Sequence, residues 1–311
     1  MRVFFAALLS ALLSALLFFG FATGSWAQNG LERFEKEIKP QFELKTLSYA
    51  GAEPLGASGF VLKDVVAVVP ANPATGDKES TVKIDKVTVD DLDFERLTKG
   101  SRDDRAPRFA RLKLEGMTGD DEMFTALEPY GVPKVPFDVA LDYRIDPAAK
   151  VLTLTLLEVT LRGQARFALS MIVDGVSDDT DMDTAKDEGR LRSASFTIDD
   201  KELLGKLVPA LASEEGMKPA ELITTALDAL AGFAQAQTGE TLKALDAVAS
   251  FVGDWKAPKG PLVLGLKPTK TAGLDDLDKI MVPDALSTLF GFTATYPGAR
   301  SGAAKAGSAG K

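Results

Sequence analysis

From Phe137 to Ile145 every odd-numbered residue is apolar or aromatic (Phe137, Val139, Leu141, Tyr143, Ile145), and the residues between them are small or charged (Asp138, Ala140, Asp142, Arg144). Side chains on a β-strand point alternately to opposite faces, so this segment reads as a strand with one apolar face and one solvated face. A turn, Asp146-Pro147-Ala148-Ala149-Lys150, follows it. Leu152, Leu154 and Leu156 then begin a return strand, and Ala165, Phe167, Leu169, Met171 and Val173 mark a third. At ~3.3 Å per residue a ten-residue strand spans roughly 33 Å, well above the usual length. A tall antiparallel sheet with one greasy face is therefore what the rest of the chain must accommodate.

The alternation changes parity at three places. Leu154 and Leu156 give way to Leu157, Val159 and Leu161; Val82 and Ile84 to Val87 and Val89; Phe60 and Leu62 to Val65. Each is either one strand carrying a bulge, which bends and twists the sheet, or one strand ending where the next begins.

Around this centre the chain divides by pattern. Leu31, Phe34 and Ile38 have the spacing of a short amphipathic helix, in which Glu32 and Lys36 are placed to pair. Residues 42–198 are rich in strands, with a short helix over Asp120 to Leu127 and a last strand over Leu191 to Ile198. Residues 199–255 are helical: Asp199 or Asp200 caps a helix through Leu203, Leu204, Leu207 and Leu211, which Pro209 is expected to break or kink. Two more apolar stripes follow, Leu222 to Phe233 and Leu242 to Val252. Residues 262–296 mix a strand (Leu262, Leu264, Leu266), a helix over Asp275 to Phe290 and a final strand (Phe292, Ala294, Tyr296), and residues 297–311 read as a disordered tail. The expected fold is α+β: a long curved antiparallel sheet with bulged strands, and helices grouped in the C-terminal third.

The N-terminus is an export segment. Arg2 precedes an uncharged run from Val3 to Ala22, and Ser25-Trp26-Ala27 places small residues for a cut before Gln28. The run is also about the ~20 residues needed to span a membrane, so residues 1–27 are either a cleaved signal peptide or an N-terminal anchor in the inner membrane. Both place residues 28–296 in the periplasm. Loss of Arg2 with that segment takes the net charge from −9 to −10. A chain this acidic is repelled by nucleic-acid phosphates, which excludes nucleic acid as a partner.

The 311 residues include no Cys and no His. Thiolate and imidazole catalysis, disulfides and the usual zinc ligand sets are thereby removed. Ser80-Thr81-Val82-Lys83 has the S-x-x-K spacing of penicillin-binding enzymes, but that motif must open a helix and these residues alternate as a strand. Asp179-Thr180-Asp181-Met182-Asp183 imitates the start of a calcium loop, yet Thr184 stands where the loop needs Gly and Arg190 where it needs Glu, so it reads as a solvated acidic hairpin loop. No catalytic residue, cofactor site or metal site is assigned, and the chain is read as a non-enzyme.

Signal, bulged alternating strands and phrases such as Val87-Thr88-Val89-Asp90-Asp91-Leu92-Asp93 together resemble the AsmA-like and related lipid-handling β-groove envelope proteins of Gram-negative bacteria, over residues 42 to 198. The resemblance implies a lipid or other apolar ligand held on the sheet. On the strands read here its lining would be Val139, Leu141, Tyr143, Leu154, Phe167, Leu169 and Met171. Three alternatives stay open: the apolar face is a closed core, the chain is an envelope structural or assembly factor whose partner is another protein, or, third, it is an enzyme of unknown type.

Overall fold

The computed structural model describes residues 29–72, 78–98, 107–120, 122–180, 182–268 and 272–299. The export segment and the tail beyond residue 299 lie outside them. Among the described residues one twelve-stranded antiparallel sheet carries the fold: β1 Thr46–Ser48, β2 Gly51–Leu55, β3 Gly59–Val69, β4 Ser80–Leu92, β5 Phe109–Gly119, β6 Phe137–Asp146, β7 Val151–Leu161, β8 Ala165–Asp174, β9 Arg190–Asp200, β10 Leu262–Leu266, β11 Ala272–Gly273 and β12 Phe292–Thr295. Its order is β1-β3-β4-β5-β6-β7-β8-β9-β10-β12; β2 also pairs with β3, and β11 with β9. The sheet is thus an open meander in which chain neighbours pair, interrupted between β9 and β10 by helices. This is the α+β architecture the alternation predicts.

The helices are α1 Gly30–Arg33, α2 Phe94–Thr98, α3 Glu122–Thr125, α4 Met182–Glu188, α5 Leu203–Glu214, α6 Pro219–Ala234, α7 Gly239–Gly253 and α8 Pro283–Thr288. Asn29 caps α1 by accepting the Glu32 N–H at 3.0 Å, and the helix runs on as a π turn over Phe34–Ile38. Its i,i+4 ion pairs are Arg33–Glu37 and Glu35–Lys39, while Glu32 is turned back to Asn29 instead of forward to Lys36. The N-cap position of α5 is Glu202 and not Asp199 or Asp200, but Asp200 still serves the first turn by accepting the Leu204 N–H at 3.1 Å. Pro209 does not break α5. It lies on the exposed side, while Leu203, Val208 and Ala212 are buried on the other and hold the helix in place.

Two other expectations are corrected. The helix over Asp275 to Phe290 is split into a 3-10 segment, Asp275–Met281, and α8, because the residue before Pro283 is forced out of the helical region and Val282 is extended at φ −90°, ψ 118°. The acidic segment near Asp179 is not simply a hairpin loop, since it leads directly into α4.

All three parity switches fall inside single strands. In β7 the register shifts against both neighbours, between Asp142/Tyr143 of β6 and between Leu154/Leu157 against β8, which places a bulge at Thr155 and Leu156. In β3 and β4 the register stays constant, because both strands switch together. Asp64, at φ +52°, lies across from Asp85, and Asp85 lies across from Gly116 of β5, at φ +68°. β5 therefore switches too, from Leu112 and Leu114 to Met117, and the register shift appears between β5 and the regular β6. The Gly116 N–H donates to Asp138 Oδ1 at 2.7 Å, fixing the kink to β6.

Candidate functional site: an apolar trough on the sheet

The pairing turns the alternating residues into continuous rows that cross the sheet. One row runs Phe60, Val89, Leu112, Leu141, Leu157, Leu169, Phe196, Leu264, Ala294. The row below it runs Leu62, Val87, Leu114, Val139, Val159, Phe167, Ile198, Leu262. Above it lie Ala110, Tyr143, Leu154, Met171, Ala194, Leu266 and Phe292. All seven residues expected to line a ligand site fall in these rows, on one face of β6, β7 and β8. The β7 bulge is what keeps Leu154 and Leu157 on that face, since without the inserted residue one of them would point to the other side.

Burial does not peak at the centre of this face. Among the described residues most of the buried apolar side chains fall into five clusters, placed around it. At the β3 end Phe34 stacks on Phe60 with ring centroids 4.5 Å apart, and this cluster reaches Leu112 and Tyr143. Along the lower side Phe124, Phe137 and Leu161 pack together, with Val139 and Phe167 against them. Next to them Val132 and Leu203 close over Ala165. On the upper side Val173, Val176 and Leu191 gather Met171, Ala194 and Leu266, and Ala272, Ala285 and Phe290 complete that corner. At the far end α7 packs on β12, where Phe251 meets Tyr296 edge-on at 5.3 Å.

Inside this rim lie Leu141, Leu157, Leu169, Phe196 and Leu264, with Leu154 above them. All six are half-buried and none is a member of the five clusters, although Phe196 stacks on the rim residue Phe167 with ring centroids 6.4 Å apart. Of the expected lining, Leu141, Leu154 and Leu169 are therefore floor, Tyr143, Phe167 and Met171 are rim, and Val139, 4% exposed, is sealed core. Leu157, Phe196 and Leu264 belong to the floor although they were not among the expected residues. Their signal was the same alternation, continuing through β7, β9 and β10.

The floor carries no titratable group. Charge is concentrated at the sheet's ends and on its opposite face. Beyond β4, Asp93 is 2% exposed; burial pushes its carboxyl up, but hydrogen bonds from the Arg108 side chain (2.7 Å) and backbone N–H (3.0 Å) outweigh this and hold it below the usual carboxylate range. The Tyr143 hydroxyl donates to the Pro107 carbonyl at 2.9 Å, and burial, with Asp93 beside it, pushes its phenol above the ordinary range. At the other end of the strands burial raises the carboxyl of Asp200, and neighbouring Asp199 adds to the shift. On the opposite face Arg111 pairs with Asp142 at 3.0 Å and Arg162 with Asp138 at 2.7 Å. Among the described residues no group of three or more acidic side chains is placed to hold a metal ion. Ser80 and Lys83 sit on β4, as their alternation requires, and form no penicillin-binding-type helix start.

Residues 158–297 match a family model described as "Uncharacterized protein". The match starts within β7 and runs just past β12, so it takes in the helical block and most of the trough's strands. No curated protein matches the chain.

Proposed function

We propose that the mature chain is a non-enzymatic periplasmic protein of the bacterial envelope that binds a lipid or other apolar ligand in this trough. One observation carries the reading: along the longest apolar row only Phe60 and Val89 are buried while Leu112 to Ala294 stay half-buried, whereas a closed core would be most buried at its middle. Contiguous half-exposed apolar surface with a packed rim is the usual form of a site for an apolar molecule. The absence of charge on the floor suits hydrocarbon, and the reading of residues 1–27 as an export segment supports a location among envelope lipids.

Titration of the chain beginning at Gln28 with a fluorescent fatty acid tests the reading. Binding should saturate, and Leu169→Gln should abolish it while costing less stability than Val139→Gln, which puts the same amide into sealed core. If the wild type binds nothing and Leu169→Gln costs as much as Val139→Gln, the face is a closed core. Native mass spectrometry of protein taken from its own periplasm should show a copurifying lipid, whereas a stoichiometric polypeptide would favour an assembly factor.

A further inference from the structure

We infer that Asn29 is a self-modification site gated by the fold: the Asn29-Gly30 pair is set to convert to aspartate or isoaspartate, and it is held unreacted until α1 lifts from the turn between β2 and β3.

The reactivity is written in the sequence. Asn29 is followed by Gly30, whose backbone nitrogen no side chain shields. The chain's other asparagine, Asn72, precedes Pro73 and has no N–H beside it to react. Once it loses its proton, the Gly30 nitrogen attacks Asn29 Cγ. The N–Cγ bond forms, the Cγ–Nδ2 bond breaks and ammonia leaves, which gives a five-membered succinimide. Water then opens the ring at one carbonyl or the other, to aspartate or to isoaspartate. Nothing but water is consumed.

The fold blocks the nucleophile. The Gly30 N–H donates to the Gly56 carbonyl at 3.0 Å, and Gly30 is buried. It lies so close to β3 that a Cβ on it would stand 2.3 Å from the Gly59 carbonyl oxygen, so this backbone has no room to turn toward the Asn29 side chain. That amide is tied down as well: Oδ1 accepts the Glu32 N–H at 3.0 Å, and Nδ2 donates to Glu32 Oε1 at 3.1 Å. The bond to Oδ1 also polarises Cγ. The electrophile is therefore ready, and the gate lies with the nitrogen. Freeing it requires α1 and its π turn to rise from the sheet, where Phe34 holds them by stacking on Phe60 at 4.5 Å.

Both products favour the open state. Aspartate at 29 keeps an oxygen for the Glu32 N–H, but it replaces the Nδ2 donor with a second oxygen facing the Glu32 carboxylate. Isoaspartate adds a methylene to the main chain between residues 29 and 30. The bond from Gly30 N–H to Gly56 and the bond from Arg33 N–H to the Asn29 carbonyl then no longer fit together. Each opening that reacts is recorded permanently, and it makes the next more frequent.

The test is incubation of the chain beginning at Gln28 in mildly alkaline buffer, folded and in urea, with the tryptic peptide Gln28–Arg33 read by fragment mass spectrometry. Conversion at Asn29 should be at least about tenfold slower in the folded protein, because only the locally opened fraction reacts. Phe34→Ala should speed the folded-state reaction at least about tenfold and leave the rate in urea unchanged. Phe34→Leu is a milder cut that should speed it less, and it keeps the comparison readable if Phe34→Ala does not fold. In every folded protein, hydrogen exchange at the Gly30 amide should change by the same factor as the conversion. Asn29→Ser keeps the cap but has no amide to lose, so it should hold its melting temperature through an incubation that lowers that of the wild type. Equal rates folded and in urea would show that the fold provides no gate. A folded-state rate that neither Phe34 variant moves would place the gate elsewhere than α1, and no conversion in urea would remove the site altogether.

Discussion

Arg96, just beyond β4, pairs with Asp178, just beyond β8, so one partly buried ion pair joins two stretches of chain whose strands are separated by β5, β6 and β7. It braces the upper end of the sheet next to the Asp93–Arg108 pair. Asp178→Ala leaves the guanidinium without its partner and should cost about 2 to 3 kcal/mol in urea unfolding. The apolar double variant Arg96→Met with Asp178→Leu should cost less than the sum of the two single changes. A strictly additive double-mutant cycle would show that the pair does not brace the sheet.

The two buried aspartates near opposite ends of the strands should respond to pH in opposite senses. The Asp93 carboxyl is held low in the folded state, so its contribution is present above the unfolded value and is lost as pH falls through the folded one. The Asp200 carboxyl is raised, so stability falls as pH rises through the interval between its ordinary and raised values, and the ionised form is a liability at neutral pH. Asp200→Asn should therefore stabilise at pH 7 by about 1 kcal/mol, with the gain vanishing toward acid. Asp93→Asn should destabilise at pH 7, with a loss that shrinks as both proteins are acidified. Melting temperatures of the three proteins between pH 3 and 8 check both signs, and parallel profiles would refute both.

What could be read from the amino acids tracks the range of the interactions involved. The faces of β6, β7 and β8 were legible because alternation is a local property of each strand, and so was the bond from Asp200 to the first turn of α5, which spans only four residues. The switch at Leu154/Leu157 pointed to a bulge because it lies within one apolar run. The kink at Asp64, Asp85 and Gly116 was only half legible: β3 and β4 show the switch, but its continuation into β5 depends on Gly116 coming to lie across from Asp85, far from it in the chain. The trough was legible as lining but not as a trough. Nothing near Leu169 reveals that Phe34 blocks one end of its row and α7 the other.

Pro209 was expected to break or kink its helix, and the break does not occur because the rest of the helix is anchored by its buried side. It occupies an exposed position of α5, where the only partner forgone is the carbonyl one turn back, at Gly205. Pro209→Ala restores that hydrogen bond and relieves the ring's clash with the preceding turn at an exposed position. It should raise stability by about 1 to 2 kcal/mol. Chemical denaturation checks it, and an unchanged midpoint would mean that α5 is distorted enough to relieve the proline already.

The kink across β3, β4 and β5 makes the last prediction, and it separates two physical causes. Gly116 combines a left-handed backbone, φ +68°, with the approach of the Asp85 side chain into the space a methyl group would fill. Gly116→Ala should therefore cost about 2 to 3 kcal/mol, part from backbone strain and part from displacing Asp85. Asp85 is largely exposed and weakly paired, 3.7 Å from Arg162, so Asp85→Ala alone should be nearly neutral. Combined with Gly116→Ala it should recover the steric part and leave a residual cost of about 1 kcal/mol, that of an L-residue held at positive φ. The Gly116 N–H would still face Asp138, so the register of β5 against β6 should survive in the double variant. Urea midpoints of the three variants decide the matter. If Asp85→Ala rescues nothing, the whole cost lies in the backbone, and the kink is set by the glycine conformation alone, not by the packing of three strands against one another.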